Sequence, residues 1–299
     1  MSTVLENVAA VQNEKQQNII GYLTWYSIGE HLITRDELKQ KLTNAGLDEG
    51  WMPNDIRSSD AFRRATQEVK ARKATAKSGV FENYIVREVY ADKKMVQRNI
   101  VCEVVDQNGK RLNYDPSAAV MTLNKDNDTM TVMANSTVAK ELAEDAEKLF
   151  KVYKDHYSAQ ALRVMAMNIM KSMSPTPVRP NGGVYFIPSA HTETLMKLER
   201  FLNSLDKGEG FKVPLINTTD NREMISKKLT EHLEATLNEC KVGLKRELKK
   251  GQVKMIIDDA KRVIKDYSQY QNLVMGDISK MDAYVELIRR HVEKIIEKM

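Results

Sequence analysis

The sequence predicts an α+β fold, mainly helical, in which an antiparallel β-meander is combined with long coiled-coil-like helices. Three observations lead there. Glycine (13) and proline (7) are scarce in 299 residues, which favours helix over a loop-rich or all-β chain. Between residues 80 and 134 apolar and polar residues alternate with a period of two, the mark of strands with one wet face. From Ile256 to Met299 apolar residues recur in alternating steps of four and three, interrupted by one extra four-residue step from Val274 to Ile278. Such a heptad seam must be buried against another helix, in this chain or in a second copy. Its candidate interface residues are Tyr267, Tyr270, Val274, Ile278, Met281, Val285, Ile288, Val292 and Ile295.

The chain is long enough for two modest cores, and 42% apolar with 29% charged residues describes a folded, charge-rich protein rather than a disordered one. Five segments are expected: an N-terminal helical region (1–79), the meander (80–134), a long helix (135–174), a linker with a small β-α-β unit (175–219), and a C-terminal helical region (220–299).

Residues 1–17 read as a loosely held helix or tail. From Asn18, the residues Ile19, Ile20, Tyr22, Leu23, Trp25 and Tyr26 suggest a first helix. Thr34 and Glu37 form a capping box for a second, with Ile33 and Leu38 as its staple and Gly46 as its stop. A third begins near Ser58–Asp60 and carries Arg63, Arg64, Lys70, Arg72, Lys73 and Lys77 against Glu68 alone. Three helices with a basic third suggest a helix-turn-helix, in which these cations would neutralise phosphates. A solvated helix face is the plainer reading.

In the meander, strands are expected around Tyr84–Tyr90, Val96–Val104, Leu112–Tyr114, Val120–Leu123 and Thr129–Met133. Asn108-Gly109 predicts a hairpin turn with positive φ at both central positions. One helix is expected from Val138 through Met173, the natural companion for the C-terminal seam. Ser174–Gly183, with Pro175, Pro177, Pro180 and Gly182, reads as a linker before a strand-helix-strand unit ending near Ile216. Asp220 and Glu223 suggest an acidic cap for the remaining helices, with Gly251 and Gly276 as break points. A second basic cluster, Lys241, Lys245, Arg246, Lys249, Lys250 and Lys254, faces only Glu247 and is the other candidate nucleic-acid surface.

Local motifs for chemistry are missing. No glycine-rich phosphate loop or G-x-S-x-G occurs, and the five histidines lack ligand spacing with one another or with Cys102 and Cys240. No metal, cofactor or catalytic residue is therefore expected, and the histidines read as surface or satisfied ones. Asp258-Asp259 is a place where a cation could be met, and Asp126/Asp128 reads as turn chemistry. The absence of a C-x-x-C pair fits a reducing interior. The absence of a leader or of eighteen consecutive apolar residues fits a cytoplasmic protein with no membrane partner.

Gly21-Tyr22-Leu23-Thr24-Trp25-Tyr26, Ile33 to Leu38, Asp60 to Thr66 and Gly182 to Pro188 together resemble an uncharacterised family of phage and prophage proteins. The resemblance covers most of the chain. It implies a phage-associated setting, hence host-cell cytoplasm, and supplies no mechanism. The leading expectation is a non-enzymatic binding protein, a homo-oligomer or a helical shaft, contacting nucleic acid through its basic helices. The alternative is a module that captures or blocks a host protein. An enzyme with a site assembled from distant residues comes third.

Overall fold

The computed structural model describes residues 19–179, 183–245, 248–275 and 278–298. The tail expected at 1–17, Pro180, the Asn181-Gly182 pair, Arg246 and the break expected at Gly276 lie outside the described residues. In chain order the elements are β1 (Ile19–Ile28), β2 (Leu32–Thr34), α1 (Arg35–Asn44), α2 (Ser58–Glu68) and β3 (Ala71–Ala74). β4 (Val80–Ala91), β5 (Met95–Asp106), β6 (Arg111–Asn124), β7 (Thr129–Ala134), α3 (Thr137–Asp155), β8 (His156–Ser158) and α4 (Ala159–Lys171) follow. β9 (Thr176–Pro177), β10 (Tyr185–Pro188), α5 (Thr192–Ser204) and β11 (Gly208–Ile216) lead to α6 (Thr219–Lys245), α7 (Lys250–Tyr267) and α8 (Ile278–Glu297). The class is α+β. The described residues divide into two compact units, one from 19–31, 39–52 and 159–298 and the other from 32–38 and 53–158.

The second unit is built on the predicted meander, an antiparallel sheet in the order β3-β4-β5-β6-β7. One face buries Tyr84, Val96, Ile100, Cys102, Met121 and Leu123 under α2 and α3. α3 presents Ala139, Ala143 and Ala146 to this core, small residues that let a helix lie close. Ser136 caps it by accepting from the Ala139 amide at 3.2 Å. The two strands expected at 112–114 and 120–123 are one long strand, β6. Pro116 is tolerated inside it because the register shifts there, and its carbonyl takes a 3.0 Å hydrogen bond from Asn99. At the Asn108-Gly109 hairpin only Gly109 has positive φ (81°). Asp106 Oδ1 accepts from the Asn108 and Lys110 amides, so the turn is a longer one with a bulge, not the two-residue type.

Two helix expectations fail in this unit. The basic third helix stops at Glu68, after which Arg72 and Lys73 lie on β3 while Lys70 and Lys77 sit in the flanking connections. The helix-turn-helix reading also loses its first helix, since residues 19–28 are a strand. The single helix through 137–173 is broken at β8, whose Tyr157 pairs with Ile33 of β2. No glycine or proline marks this break. The side chain of Tyr157 is buried and its hydroxyl receives a 2.6 Å hydrogen bond from Arg35, so tertiary contact overrides the helical pattern.

In the first unit the sheet order is β11-β1-β10-β9, with β1 antiparallel to both neighbours. β10 and β11 therefore run parallel and straddle β1, and α5 is their crossover across one face. The strand-helix-strand unit thus forms its own sheet, and the supposed linker contributes β9. β1 reads as helix from its apolar spacing, yet aromatic and β-branched residues dominate it, and these suit a central strand. Gly21 is required where β1 meets β10, because a Cβ there would lie 2.5 Å from the Phe186 ring.

On the sheet's other face, Ile20 and Phe186 join one core with α6, α7 and α8. These helices form a three-helix bundle. The Met275 amide reaches Ser226 Oγ at 2.7 Å, Lys298 Nζ reaches the Leu244 carbonyl at 3.4 Å, and the Tyr267 hydroxyl reaches Asp282 at 2.8 Å. α6 and α8 thus run parallel, with α7 antiparallel to both. The heptad seam is not a rod. Its one irregular step, Val274 to Ile278, falls where the chain turns back from α7 to α8. Tyr267, Tyr270, Val274, Met281, Val285, Ile288, Val292 and Ile295 are all buried in this bundle, and Ile278 alone among the seam's interface candidates is exposed. Their companions are Ile225, Leu229, Leu233, Leu237 and Cys240 of α6, not the helix expected at 137–173, and the seam requires no second copy. α6 is capped by Thr218 Oγ1, which accepts from the Asn221 amide, rather than by Asp220; Gly251 sits in the first turn of α7 and does not kink it.

Candidate functional site

The two basic clusters fare differently. In the first, Arg63 pairs with Glu88 at 3.0 Å and lies 3.8 Å from Asp60. The Arg64 guanidinium lies 3.8 Å over the Tyr153 ring, with Glu68 3.8 Å from its Nε. Lys73 approaches Glu141 at 3.9 Å and Arg72 stacks on Phe81 at 4.4 Å. Lys70, Arg72 and Lys77 make no ion pair among the described residues. The meander's strands and α3 supply acids that a reading of residues 58–77 alone could not see.

The second cluster stays open. Lys241 and Lys245 lie one turn apart near the end of α6; Lys249 is the N-cap of α7, and Lys250 and Lys254 lie in its first turns. All five are exposed and none makes an ion pair among the described residues. Gln252 Oε1 accepts from the Lys249 amide at 3.1 Å, so the helix start is formed. No acidic residue occupies the first turn of α7, which leaves the positive end of its dipole beside three lysines.

A groove of about 600 Å³ between α6 and α7 is lined by Asn238, Glu239, Val242, Leu248, Gln252, Met255, Ile256 and Asp259, and Lys241, Lys249 and Lys254 each stand next in sequence to one of these residues. The helical period creates it. Val242 is two residues from the buried Cys240 and Met255 two residues from the buried Ile257, so each turns about 200° away from its core stripe. Met255 is 66% exposed and Val242 40%, values at odds with a finished core. Gly243 brings the helices together below them, for a Cβ there would touch Ile256 at 3.3 Å and Ile295 at 3.4 Å.

Asp259, one of the groove's lining residues, also begins a charged ladder. Its carboxylate meets Arg262 at 3.1 Å and Lys171 at 3.3 Å, and Arg262 continues to Asp266 at 3.7 Å. Burial works to raise the Asp259 pKa, but the Arg262 and Lys171 cations outweigh it and hold the carboxyl below its ordinary value. Burial raises that of Asp266. Burial, with Arg262 adding to it, pushes His232 down to about 4. His191 is lowered by burial, and its Nε2, like that of His31, has no hydrogen-bond partner, so these two histidines are not satisfied as expected. Sequence reasoning flagged Asp259 as a cation partner but missed Arg262 and Asp266. Their i, i+3 and i+7 spacing on one helical face was the available signal. Each charge in the ladder faces an opposite one, which suits a structural role.

A polar cleft of about 450 Å³ in the second unit is lined by Arg35, Asp55, Lys154 and Tyr157 among others. Both of its cations are paired, Arg35 at 2.6 Å from Asp55 and Lys154 at 3.5 Å from Asp128. Cys102 and Cys240 are buried, and burial raises both thiols, Cys240 to about 11, which makes them poor nucleophiles. Among the described residues no three His, Cys, Asp or Glu side chains group as a metal site, and no helix is long and apolar enough to cross a membrane.

Residues 19–299 match a family of unknown function, DUF6744. No curated protein and no solved structure matches the chain.

Proposed function

We propose that the chain, which belongs to the DUF6744 family, is a non-catalytic binding protein that holds a protein partner on the α6–α7 face of its three-helix bundle. One observation carries this reading. Val242 and Met255 leave aliphatic surface open on facing helices, beside five lysines that make no ion pair among the described residues. Apolar surface of this kind, rimmed by charge, is what partner-binding surfaces present. In the phage setting implied by the sequence resemblance, the partner is a host protein.

Nuclease-treated host extract passed over the immobilised chain tests this. A partner retained by the native protein and lost by the Val242→Gln/Met255→Gln variant is the expected result. A partner held equally by both would place the interaction elsewhere.

The lysines themselves favour a second reading, contact with nucleic acid. Binding would then fall steeply with salt as counterions are released. The groove's lining includes no aromatic side chain on which bases would stack, which is why this reading ranks below the first. An anisotropy titration with single- and double-stranded DNA and RNA at about 50 mM salt decides it.

A further inference from the structure

Resting on the reading of the α6–α7 face as a partner surface, we infer that the element it takes is an acidic amphipathic helix, with its apolar stripe in the groove and its carboxylates against the lysines.

The chemistry of the groove removes the other ways of holding a peptide. Adding a strand needs a free sheet edge, and here the walls are the helices α6 and α7 with no described strand between them. Proline-rich segments dock on aromatic-lined grooves, and the lining here is aliphatic and polar. Phosphopeptide sites use the forked guanidinium of arginine, and the groove's described lining residues include none. A helix laid between two helices remains. The volume of about 600 Å³ lies within the usual range of ligand-holding clefts, roughly 300–1,000 Å³. From Gln252 to Asp259 the α7 wall spans about two helical turns, or roughly 10 Å. That length matches anchors spaced i, i+3 or i+4, and i+7 on the incoming helix.

Charge also gives the complex a direction. Lys241, Lys245, Lys249, Lys250 and Lys254 lie towards the α6–α7 junction, and Glu239 and Asp259 lie further along the groove. Asp259 is already neutralised by Arg262 and Lys171; Glu239 is exposed and makes no ion pair among the described residues. The partner's acids therefore belong at its junction end, and its opposite end should be neutral or basic.

The test uses the full chain and four fluorescently labelled probes in anisotropy titrations. One is a synthetic helix with leucines at i, i+3, i+4 and i+7 and glutamates clustered towards one end. The second replaces its glutamates with lysines, the third scrambles its order, and the fourth is a single-stranded oligonucleotide. The acidic helix should bind at least about tenfold tighter than the scramble, a difference of about 1.4 kcal/mol, and the lysine version should show no binding. Val242→Gln with Met255→Gln should weaken the acidic helix about tenfold while leaving the thermal melt unchanged. Equal binding of helix and scramble would reduce the surface to a patch of charge and overturn the inference, as would tighter binding of the oligonucleotide or no binding of any peptide. If the peptides fail while an extract protein still depends on Val242 and Met255, the partner surface stands and the acidic helix falls.

Discussion

The hydroxyl of Tyr270 donates a 2.6 Å hydrogen bond to the carbonyl of Ser174. It also accepts one from Thr176 Oγ1 at 2.8 Å. Ser174 is buried and holds a left-handed backbone (φ 53°), a costly conformation for a residue with a side chain. One buried phenol thus ties the segment after α4 to the helical bundle. Tyr270→Phe keeps the ring and strands two buried polar groups. It should cost about 1–3 kcal/mol in a denaturant melt; a change below about 0.5 kcal/mol would mean that water replaces the hydroxyl.

The seam makes a second prediction. Ile288 of α8 is fully buried in the core that α8 shares with α6 and α7. Ile288→Ala should lower stability by about 2–5 kcal/mol, as truncations in packed cores do. Light scattering of the native chain should not depend on this residue unless copies also meet through it.

Gly21 makes a third. An added Cβ would collide with the Ile187 carbonyl and the Phe186 ring. Backbone cannot yield as a flexible side chain does, so Gly21→Ala should destabilise by about 3 kcal/mol, the upper end of the usual overpacking cost. Circular dichroism melts of the two proteins measure it.

Acid should unfold the first unit partly through His232. Its folded pKa, about 4, lies below the ordinary histidine value, so between about pH 6.5 and pH 4 the unfolded chain binds the extra proton. The stability it contributes is complete above about pH 6.5 and is lost as the pH falls through that window, with an upper bound of about 3 kcal/mol. His232→Gln should flatten this part of the profile. Urea midpoints at pH 7 and pH 4.5 for both proteins check the sign.

The two basic clusters should respond differently to neutralisation. Arg63→Gln with Lys73→Gln breaks pairs to Glu88 and Glu141, so it should touch stability and leave binding of an acidic partner within about twofold. Lys245→Gln with Lys250→Gln should weaken that binding several-fold and leave the melt unchanged or slightly raised, since like charges are being removed. The reverse pattern would move the binding surface to the second unit.

Much of this architecture is written locally. Val96, Ile100 and Cys102 alternate with polar neighbours, and β5 follows; Thr34 accepts from the Glu37 amide as a capping residue should. The failures share one cause, that the deciding contact lies far along the chain. Ile19 to Tyr26 form a short apolar run that period alone cannot assign, and their pairing with residues 185–188 and 208–216 settles it. The break at His156 depends on Ile33. The site was half legible: the lysines of residues 241–254 were visible as a cluster, but the groove beside them exists only because Val242 and Met255 come to face one another.

Among the described strands, β1 waits longest for its partners. Thr24 must find Tyr185 on one side and Lys212 on the other, so during synthesis β1 leaves the ribosome with neither neighbour yet made. At about 5–20 residues per second, it stays an unpaired, aromatic-rich segment for on the order of ten seconds. This half of the protein should therefore assemble late and slowly, as non-local pairings do. A nascent chain stalled before Gly208 should expose Trp25 and Tyr26 to chaperones and proteases.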